Sequence, residues 1–211
     1  MIKVAIADDH SLMREGIRNV LRVHKNIEVI LEAANGKILI DLLELGNLPH
    51  IVLLDIQMPE MDGYQTLSYL KDHYPSIKVI MLSMIYDDFV VSNLMQRGAS
   101  AFISKNIEPA TLVETIERTY LNNDKHKEDV EKAPVPDKIG KESMPLLTDK
   151  ELELLKYSST HLTYNQIAAL MLMSPKTLEH YRISLFKKMK IQTRSELAAL
   201  SVRMGFGKTN F

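Results

Sequence analysis

The 211-residue chain contains no cysteine, and this absence excludes several classes of protein. Without a thiol there is no disulfide scaffold, no cysteine nucleophile and no thiolate zinc site. The chain also lacks any run approaching the ~20 apolar residues that span a bilayer. The N-terminus, MIKVAIADDH, has no long apolar signal segment and reaches an acidic residue at Asp8. We therefore expect a cytoplasmic protein with no membrane partner.

The net charge of −1 conceals a difference between the two ends of the chain. From Leu146 to Phe211 there are ten basic and five acidic side chains, whereas the remainder has sixteen basic and twenty-two acidic ones. A basic segment of this kind can meet the phosphates of a nucleic acid. An excess of five over 66 residues is also ordinary, so the charge alone leaves both interpretations open.

The length suits two small domains, and the first part alternates short apolar runs with longer amphipathic ones. Several runs are apolar at consecutive positions, which predicts strands buried on both faces, as in a parallel sheet. Strands and helices in alternation indicate a doubly wound α/β domain. The predicted strands are Ile2–Ala7, Ile27–Ala33, Ile51–Leu54, Val79–Leu82 and Ala101–Ile103. The predicted helices are Leu12–His24, Lys37–Leu45, Tyr64–His73, Asp87–Arg97 and Pro109–Leu121. Turns are expected at Asn35-Gly36, Asp62-Gly63, Pro75 and Gly98.

Residues 122–145 are rich in polar residues and proline, which predicts an extended linker between domains 1–121 and 146–211. No strand pattern follows it. Thr148 and Glu151 form a capping-box pattern at a helix start, and Ser174 is expected to cap a later helix. Four short helices with a tight turn at Leu172–Ser174 are typical of a helix-turn-helix domain. The predicted helices run from Thr148 to about Tyr157, over Thr163–Met171, over Pro175–Lys190, and from Thr193 or Ser195 to near Gly205.

Five polar residues follow the predicted strands of the first domain. Asp8 and Asp9 come after the first strand, Asp55 ends the third, Ser83 follows the fourth and Lys105 the fifth. With strand order 2-1-3-4-5, all five lie at one rim of the sheet, where such folds bind ligands. Clustered carboxylates suit Mg²⁺, and Asp55 could then accept a phosphoryl group that Lys105 and Ser83 contact. Each residue alone has an ordinary explanation as a cap or a solvated side chain.

The same residues resemble the receiver domain of response regulators. The matching features are Asp8-Asp9, LLDIQMPEMDG at 53–63, Ser83 and GASAFISK at 98–105. The resemblance implies that a sensor histidine kinase phosphorylates Asp55 and that the receiver catalyses only its own phosphorylation and dephosphorylation. It also implies a flavodoxin-like sheet and switch positions at Ser83 and Phe102. Mg²⁺ would be bound directly by Asp9 and Asp55, through water by Asp8, and by the main-chain carbonyl of Gln57. Phe102 is otherwise a plain core residue.

Residues 146–206 resemble the LuxR-type DNA-binding domain, so the whole chain resembles the NarL/FixJ class. The matching stretches are LTDKELELL, IAALMLMSPKTLEHYRISLFKKMKI and SELAAL. Residues Pro175–Lys190 would then lie in the major groove of promoter DNA, with Thr193–Arg203 as a homodimer surface. Candidate phosphate contacts are Lys176, Thr177, Arg182, Lys187 and Lys188, and candidate base contacts are Glu179, His180 and Ser184. Leu178, Leu185 and Met189 are expected in the core.

Two departures from the LuxR pattern and three alternatives remain. Glu179 stands where many relatives have lysine, and His161 stands where glycine is usual, which predicts a left-handed residue ending the helix. An aspartyl phosphatase would usually carry a D-x-D pattern after the first strand, whereas this chain has Asp8-Asp9-His10. The helical domain could serve as a protein adaptor, or DNA binding could be independent of phosphorylation.

Overall fold

The computed structural model describes residues 1–84, 86–121 and 145–206, in which the chain forms two compact units. Apart from Pro145, the predicted linker lies outside the described residues, as do residues 207–211 of the predicted second domain. The proposed domain limits therefore stay a prediction. Within the described residues, no helix is both long enough and apolar enough to cross a membrane.

The first unit is built on a five-stranded parallel sheet, and its order β2-β1-β3-β4-β5 confirms the predicted topology. The predicted bounds agree with the observed ones to within two residues. The strands are β1 (Ile2–Ala7), β2 (Ile27–Ala33), β3 (Ile51–Asp55), β4 (Lys78–Ser83) and β5 (Ala101–Ser104). The helices described among residues 1–121 are α1 (Ser11–Arg22), α2 (Gly36–Glu44), α3 (Gly63–His73), α4 (Asp88–Gln96) and α5 (Pro109–Leu121).

The central strand β3 is buried along its whole length, as its continuous apolar run predicts. Ile17 and Leu21 of α1 and Ile116 of α5 join the hydrophobic cluster on one face of the sheet. The parallel register aligns Asp55 of β3 with Leu82 of β4, and Ser83 with Ser104 of β5. The polar residues that end these strands therefore meet at one edge of the sheet.

Two of the predicted turns are instead helix starts. Asn35 and Asp62 cap the N-termini of α2 and α3 with their side chains, and Gly36 and Gly63 are the first helical residues. A Cβ atom at position 63 would lie 2.3 Å from the main-chain oxygen of Asp55. Glycine is required there because the helix approaches the strand closely, rather than because the backbone turns sharply.

Residues 145–206 form four helices: α6 (Asp149–Ser158), α7 (Tyr164–Leu170), α8 (Pro175–Met189) and α9 (Arg194–Arg203). Capping boxes at Thr148, Thr163 and Thr193 start α6, α7 and α9, because each hydroxyl accepts a backbone N–H that would otherwise be unpaired. Ser174 caps α8, with proline in its first turn. The structure thus selects Thr193 over Ser195 as the start of α9.

Two expectations for this unit are wrong. His161 is not left-handed, because α6 already ends through Ser159 and Thr160, whose N–H donates to the oxygen of Tyr157 at 3.1 Å. The residues with positive φ that follow helices here are Leu172 after α7 and Lys190 after α8, with φ of 53° at both, and Gly205 after α9, with φ of 90°. Met189 is half-buried rather than part of the core, because it is the last residue of α8, at the end of the helix.

Candidate functional site

The edge of the sheet brings together three of the predicted site residues through direct ion pairs. The ammonium nitrogen of Lys105 lies 2.7 Å from Asp8 Oδ2 and 2.8 Å from Asp55 Oδ2. All three side chains are almost completely buried. The Lys105 backbone N–H donates to the carbonyl oxygen of Ser83 at 2.8 Å, which fixes the lysine at the end of β5. One cation is thereby held between two carboxylates.

Asp9 and His10 complete the cluster on its exposed side. One oxygen from each of Asp8, Asp9 and Asp55 and one ring nitrogen of His10 lie within 4.8 Å of one another. His10 Nδ1 is 2.8 Å from Asp9 Oδ1 and 3.2 Å from Asp8 Oδ1. His10 was not predicted as part of the site, and its only sequence signal is its place directly after two aspartates.

Burial raises the pKa of Asp55 from 3.8 to about 6. The charge of Lys105 and its hydrogen bond oppose the shift, the charge of Asp8 adds to it, and the backbone N–H of Gln57 opposes it by donating to the Asp55 carboxylate. The pocket holds three carboxylates and one lysine, and that lysine pairs with Asp8 and Asp55, so oxygen ligands outnumber the ammonium group. Oxygen donors in this excess suit a hard divalent cation such as Mg²⁺.

The two predicted switch positions lie on neighbouring strands. Ser83 ends β4 and Phe102 lies in β5 between the buried residues Ala101 and Ile103. Phe102 is partly exposed, and its ring meets that of Tyr86 edge-on, with centroids 5.9 Å apart at 80°. Phe102 is therefore not a plain core residue. Sequence reasoning missed Tyr86, because a tyrosine in a connecting segment has no distinctive pattern.

In the helical unit, four of the predicted DNA-contacting residues are exposed on α8: Lys176, Thr177, His180 and Lys187. The side of the helix that carries Leu178 and Leu185 is buried, with 2% and 0% of those residues exposed. The Thr177 hydroxyl shares a 2.8 Å hydrogen bond with that of the capping residue, Ser174. A basic surface therefore lies on the face of α8 opposite the core.

Ser184 and Lys188 face a different neighbour, the buried carboxylate of Glu151 on α6. The Ser184 hydroxyl donates to Glu151 Oε1 at 2.7 Å, and Lys188 Nζ lies 2.6 Å from Glu151 Oε2. Burial disfavours the charged form of Glu151, but the hydrogen bonds from Lys188, the Thr148 N–H and Ser184 outweigh it and hold its pKa below 4.5. This cluster links α6 to α8, and sequence reasoning had assigned Glu151 only a capping role.

Glu179 and Arg182 occupy the other flank of α8 and pair with each other. Arg182 donates to Glu179 Oε1 at 2.5 Å, and its guanidinium lies over the ring of Tyr164 in α7, 4.9 Å from the centroid. Arg194 lies 5.0 Å from the centroid of the same ring. The negative charge of Glu179 is therefore offset within the helix itself.

Comparison with known proteins accounts for both units. The family model "Response regulator receiver domain" matches residues 4–117, and the model "Bacterial regulatory proteins, luxR family" matches residues 145–201. The chain is a response regulator of the NarL/FixJ class. This response regulator is a transcription factor with a receiver domain and a LuxR-type DNA-binding domain, and its family does not consist of enzymes in the usual sense. The phosphatase alternative is thereby set aside.

Several relatives match this response regulator over nearly its full length. The uncharacterized transcriptional regulatory protein YhcZ of Bacillus subtilis is 30% identical, with 96% of each chain covered. The response regulator UvrY of Escherichia coli K12 is 29% identical over 97% of this chain and 95% of its own.

Solved structures show the same fold. RcsB from Salmonella enterica serovar Typhimurium, bound to the promoter rprA in the presence of BeF₃⁻, has a TM-score of 0.72 at 24% identity, covering 96% of this chain and 99% of its own. The receiver of NarL from Mycobacterium tuberculosis has a TM-score of 0.55 at 28% identity, covering 58% of this chain and 98% of its own. Receiver domains typically bind Mg²⁺ at an acidic pocket, and this chain has the corresponding aspartate cluster.

Proposed function

We propose that a sensor histidine kinase transfers its phosphoryl group to Asp55. The observation that supports this most strongly is the buried Lys105 ammonium between Asp8 and Asp55. An Asp55 oxygen would attack the phosphorus atom, the bond to the donor imidazole would break, and an acyl phosphate would form. Lys105 would then pair with a phosphoryl oxygen, and the Ser83 hydroxyl would donate to another.

Mg²⁺ is the cofactor of this proposal. Asp8, Asp9, Asp55 and the main-chain carbonyl of Gln57 would hold it, and the ion would neutralise charge on the phosphoryl group. The cluster of carboxylate oxygens supports the choice. Burial raises the pKa of Asp55 and the charge of Asp8 adds to the shift, and a divalent cation would offset this cost of ionising Asp55. The chain's own residues bind and orient the phosphoryl group.

The output of phosphorylation is homodimer formation and promoter binding. Phosphorylation would shift the receiver, residues 1–121, between two pre-existing states that differ at Ser83 and Phe102. The linker, residues 122–145, would allow two DNA-binding domains, residues 146–211, to pair through α9 and bind adjacent half-sites. From these two proposed partners, the kinase and the promoter, we infer that the protein acts in the cytoplasm.

The α8 helix would lie in the major groove of promoter DNA. Its exposed residues support phosphate contacts from Lys176, Thr177 and Lys187 and a base contact from His180. Glu179 and Arg182 would reach DNA only by leaving their mutual ion pair. Ser184 and Lys188 would act chiefly by holding α8 against Glu151 on α6.

The decisive test measures DNA binding by the full chain with and without acetyl phosphate and Mg²⁺. We expect phosphorylation to strengthen binding of a selected promoter duplex, and added salt to weaken it, because phosphate contacts release counterions. Asp55→Ala should bind equally with and without acetyl phosphate, whereas the control Asp41→Asn, an exposed carboxylate on α2, should behave as wild type.

Two results would contradict the proposal. If wild type and Asp55→Ala bind DNA equally under all conditions, DNA binding is independent of phosphorylation. If neither binds any duplex at low salt, the helical domain serves as a protein adaptor.

A further inference from the structure

The outward stripe of α8 contains a residue that the DNA-contact assignments omit. Lys176, His180, Ile183 and Lys187 are spaced four, three and four residues apart, so they share one face of the helix. Ile183 is 55% exposed in the middle of that stripe, although isoleucine is among the residues most often buried. A β-branched apolar side chain is thus presented to solvent between His180 and Lys187.

Contacts on both flanks prevent α8 from rotating to bury Ile183. Ser184 and Lys188 hold one flank against the buried Glu151 of α6. On the other flank, Arg182 lies over the ring of Tyr164 in α7. The orientation of Ile183 is therefore fixed by the contacts of α8 with α6 and α7, and its exposure follows from the packing of the helix.

The spacing of the stripe matches the dimensions of a major groove. At 1.5 Å per residue, Lys176 and Lys187 lie about 16 Å apart along the helix axis, whereas the groove is about 12 Å wide. The two lysines can therefore reach phosphates on opposite sides of the groove. His180 and Ile183, between them, would face the base edges on its floor.

We propose that Ile183 is a specificity-determining residue that contacts the 5-methyl group of a thymine. This inference rests on the proposed placement of α8 in the major groove. The thymine methyl is the apolar group that distinguishes base edges in that groove, and apolar side chains recognise it. Contact between the two removes apolar surface on both partners from water, which favours thymine at one position of each half-site.

The test begins with a selection from a randomised duplex pool by the full chain treated with acetyl phosphate and Mg²⁺. Each thymine of the selected half-site is then replaced in turn by deoxyuridine, which lacks only the methyl group. One replacement should weaken binding by wild type about fourfold, which corresponds to the ~0.8 kcal/mol of one buried carbon group. Fluorescence anisotropy with labelled duplexes measures the ratio of the two affinities.

Ile183→Ala should bind the thymine and deoxyuridine duplexes equally, and Ile183→Val should retain part of the difference. The control Ile38→Ala removes an isoleucine side chain that is 40% exposed on α2 of the receiver, and it should keep the full fourfold ratio. Circular dichroism should show unchanged helix content in all three variants.

The inference is overturned if wild type is indifferent to every deoxyuridine replacement. It is also overturned if Ile183→Ala keeps the wild-type ratio, as it would if Ile183 touched only sugar atoms. Both results leave DNA binding intact, so they are distinct from failure of the proposed function. If the full chain selects no sequence at all, the proposed function and this inference fail together.

Discussion

The buried contact between Glu151 and Lys188 provides the sharpest energetic prediction. Glu151→Gln removes the charge that Lys188 contacts at 2.6 Å while keeping the side-chain length and an acceptor for the Thr148 N–H at 2.8 Å. Hydrogen bonds to charged groups contribute about 1.5–3 kcal/mol each. The Lys188 side chain is 30% exposed, so in the variant its ammonium group can turn to water. We therefore expect Glu151→Gln to lower the free energy of unfolding of the helical unit by ~2 kcal/mol.

Lys188→Met should lower the free energy of unfolding more than Glu151→Gln does. It leaves the Glu151 carboxylate without its cation, and that residue is only 1% exposed. Removing one partner of a buried pair costs about 3–5 kcal/mol, and the remaining hydrogen bonds from Ser184 and Thr148 place this case near ~3 kcal/mol. The double variant should be more stable than the sum predicts, with a coupling of about 2 kcal/mol. Such losses are a large part of a small domain's stability.

Urea unfolding of the full chain, followed through ¹³C-labelled methionine methyl groups, separates the two units. The buried residues Met171 and Met204 report on the helical unit, and Met81 reports on the sheet. Glu153→Gln is the matched control, since its pair with Lys150 has a similar 2.8 Å separation at the surface and should contribute under about 1 kcal/mol.

A measured coupling below about 0.5 kcal/mol would contradict a direct charge interaction between Glu151 and Lys188. A loss for Glu153→Gln as large as that for Glu151→Gln would also refute it. The pH dependence gives a second check. Because the folded pKa of Glu151 is lowered, its contribution is present above pH 4.5 and lost as the pH falls through the folded value. Glu151→Gln should lack that part of the acid sensitivity.

Three further changes test the receiver and the helix-turn-helix turn by thermal unfolding. Asp55→Asn should raise the free energy of unfolding of the metal-free receiver by ~1–2 kcal/mol at pH 7.5 but change it little below pH 4. The pKa of Asp55 is raised from 3.8 to about 6, so ionising this side chain destabilises the folded state as the pH rises through that range. Destabilisation by Asp55→Asn at pH 7.5 would contradict this. Gly63→Ala should destabilise the receiver by ~2 kcal/mol or more, because the added Cβ would lie 2.3 Å from a main-chain oxygen. Gly16→Ala in α1, where a Cβ meets open space, should be neutral or stabilising. Equal effects of the two substitutions would contradict a steric cause. Leu172→Gly should stabilise the helical unit by about 1 kcal/mol, because the leucine has a left-handed backbone conformation and its side chain is 93% exposed. An unchanged melting temperature would show that the backbone at this position is unstrained.

Local patterns in the sequence determined most of the elements and the position of the acidic site. Consecutive apolar residues predicted β3 as a buried strand, and the pattern of Thr148 and Glu151 predicted the start of α6. Both patterns involve residues close together in the sequence, so they can be recognised without knowing which elements pack against β3 and α6. The convergence of Asp8, Asp55 and Lys105 was also predictable, because parallel strands end at the same edge of a sheet.

The tertiary structure decided which side chains are available and why certain residues are required. Periodicity placed Ser184, Lys188 and Ile183 on the same helix, but the carboxylate of Glu151 holds the first two inward and leaves Ile183 exposed. Gly63 resembled a turn residue, yet its need for glycine arises from a strand oxygen 2.3 Å from where Cβ would lie. These properties depend on atoms brought together from distant parts of the chain. The periodicity of one segment does not indicate which side chains of another segment will pack against it.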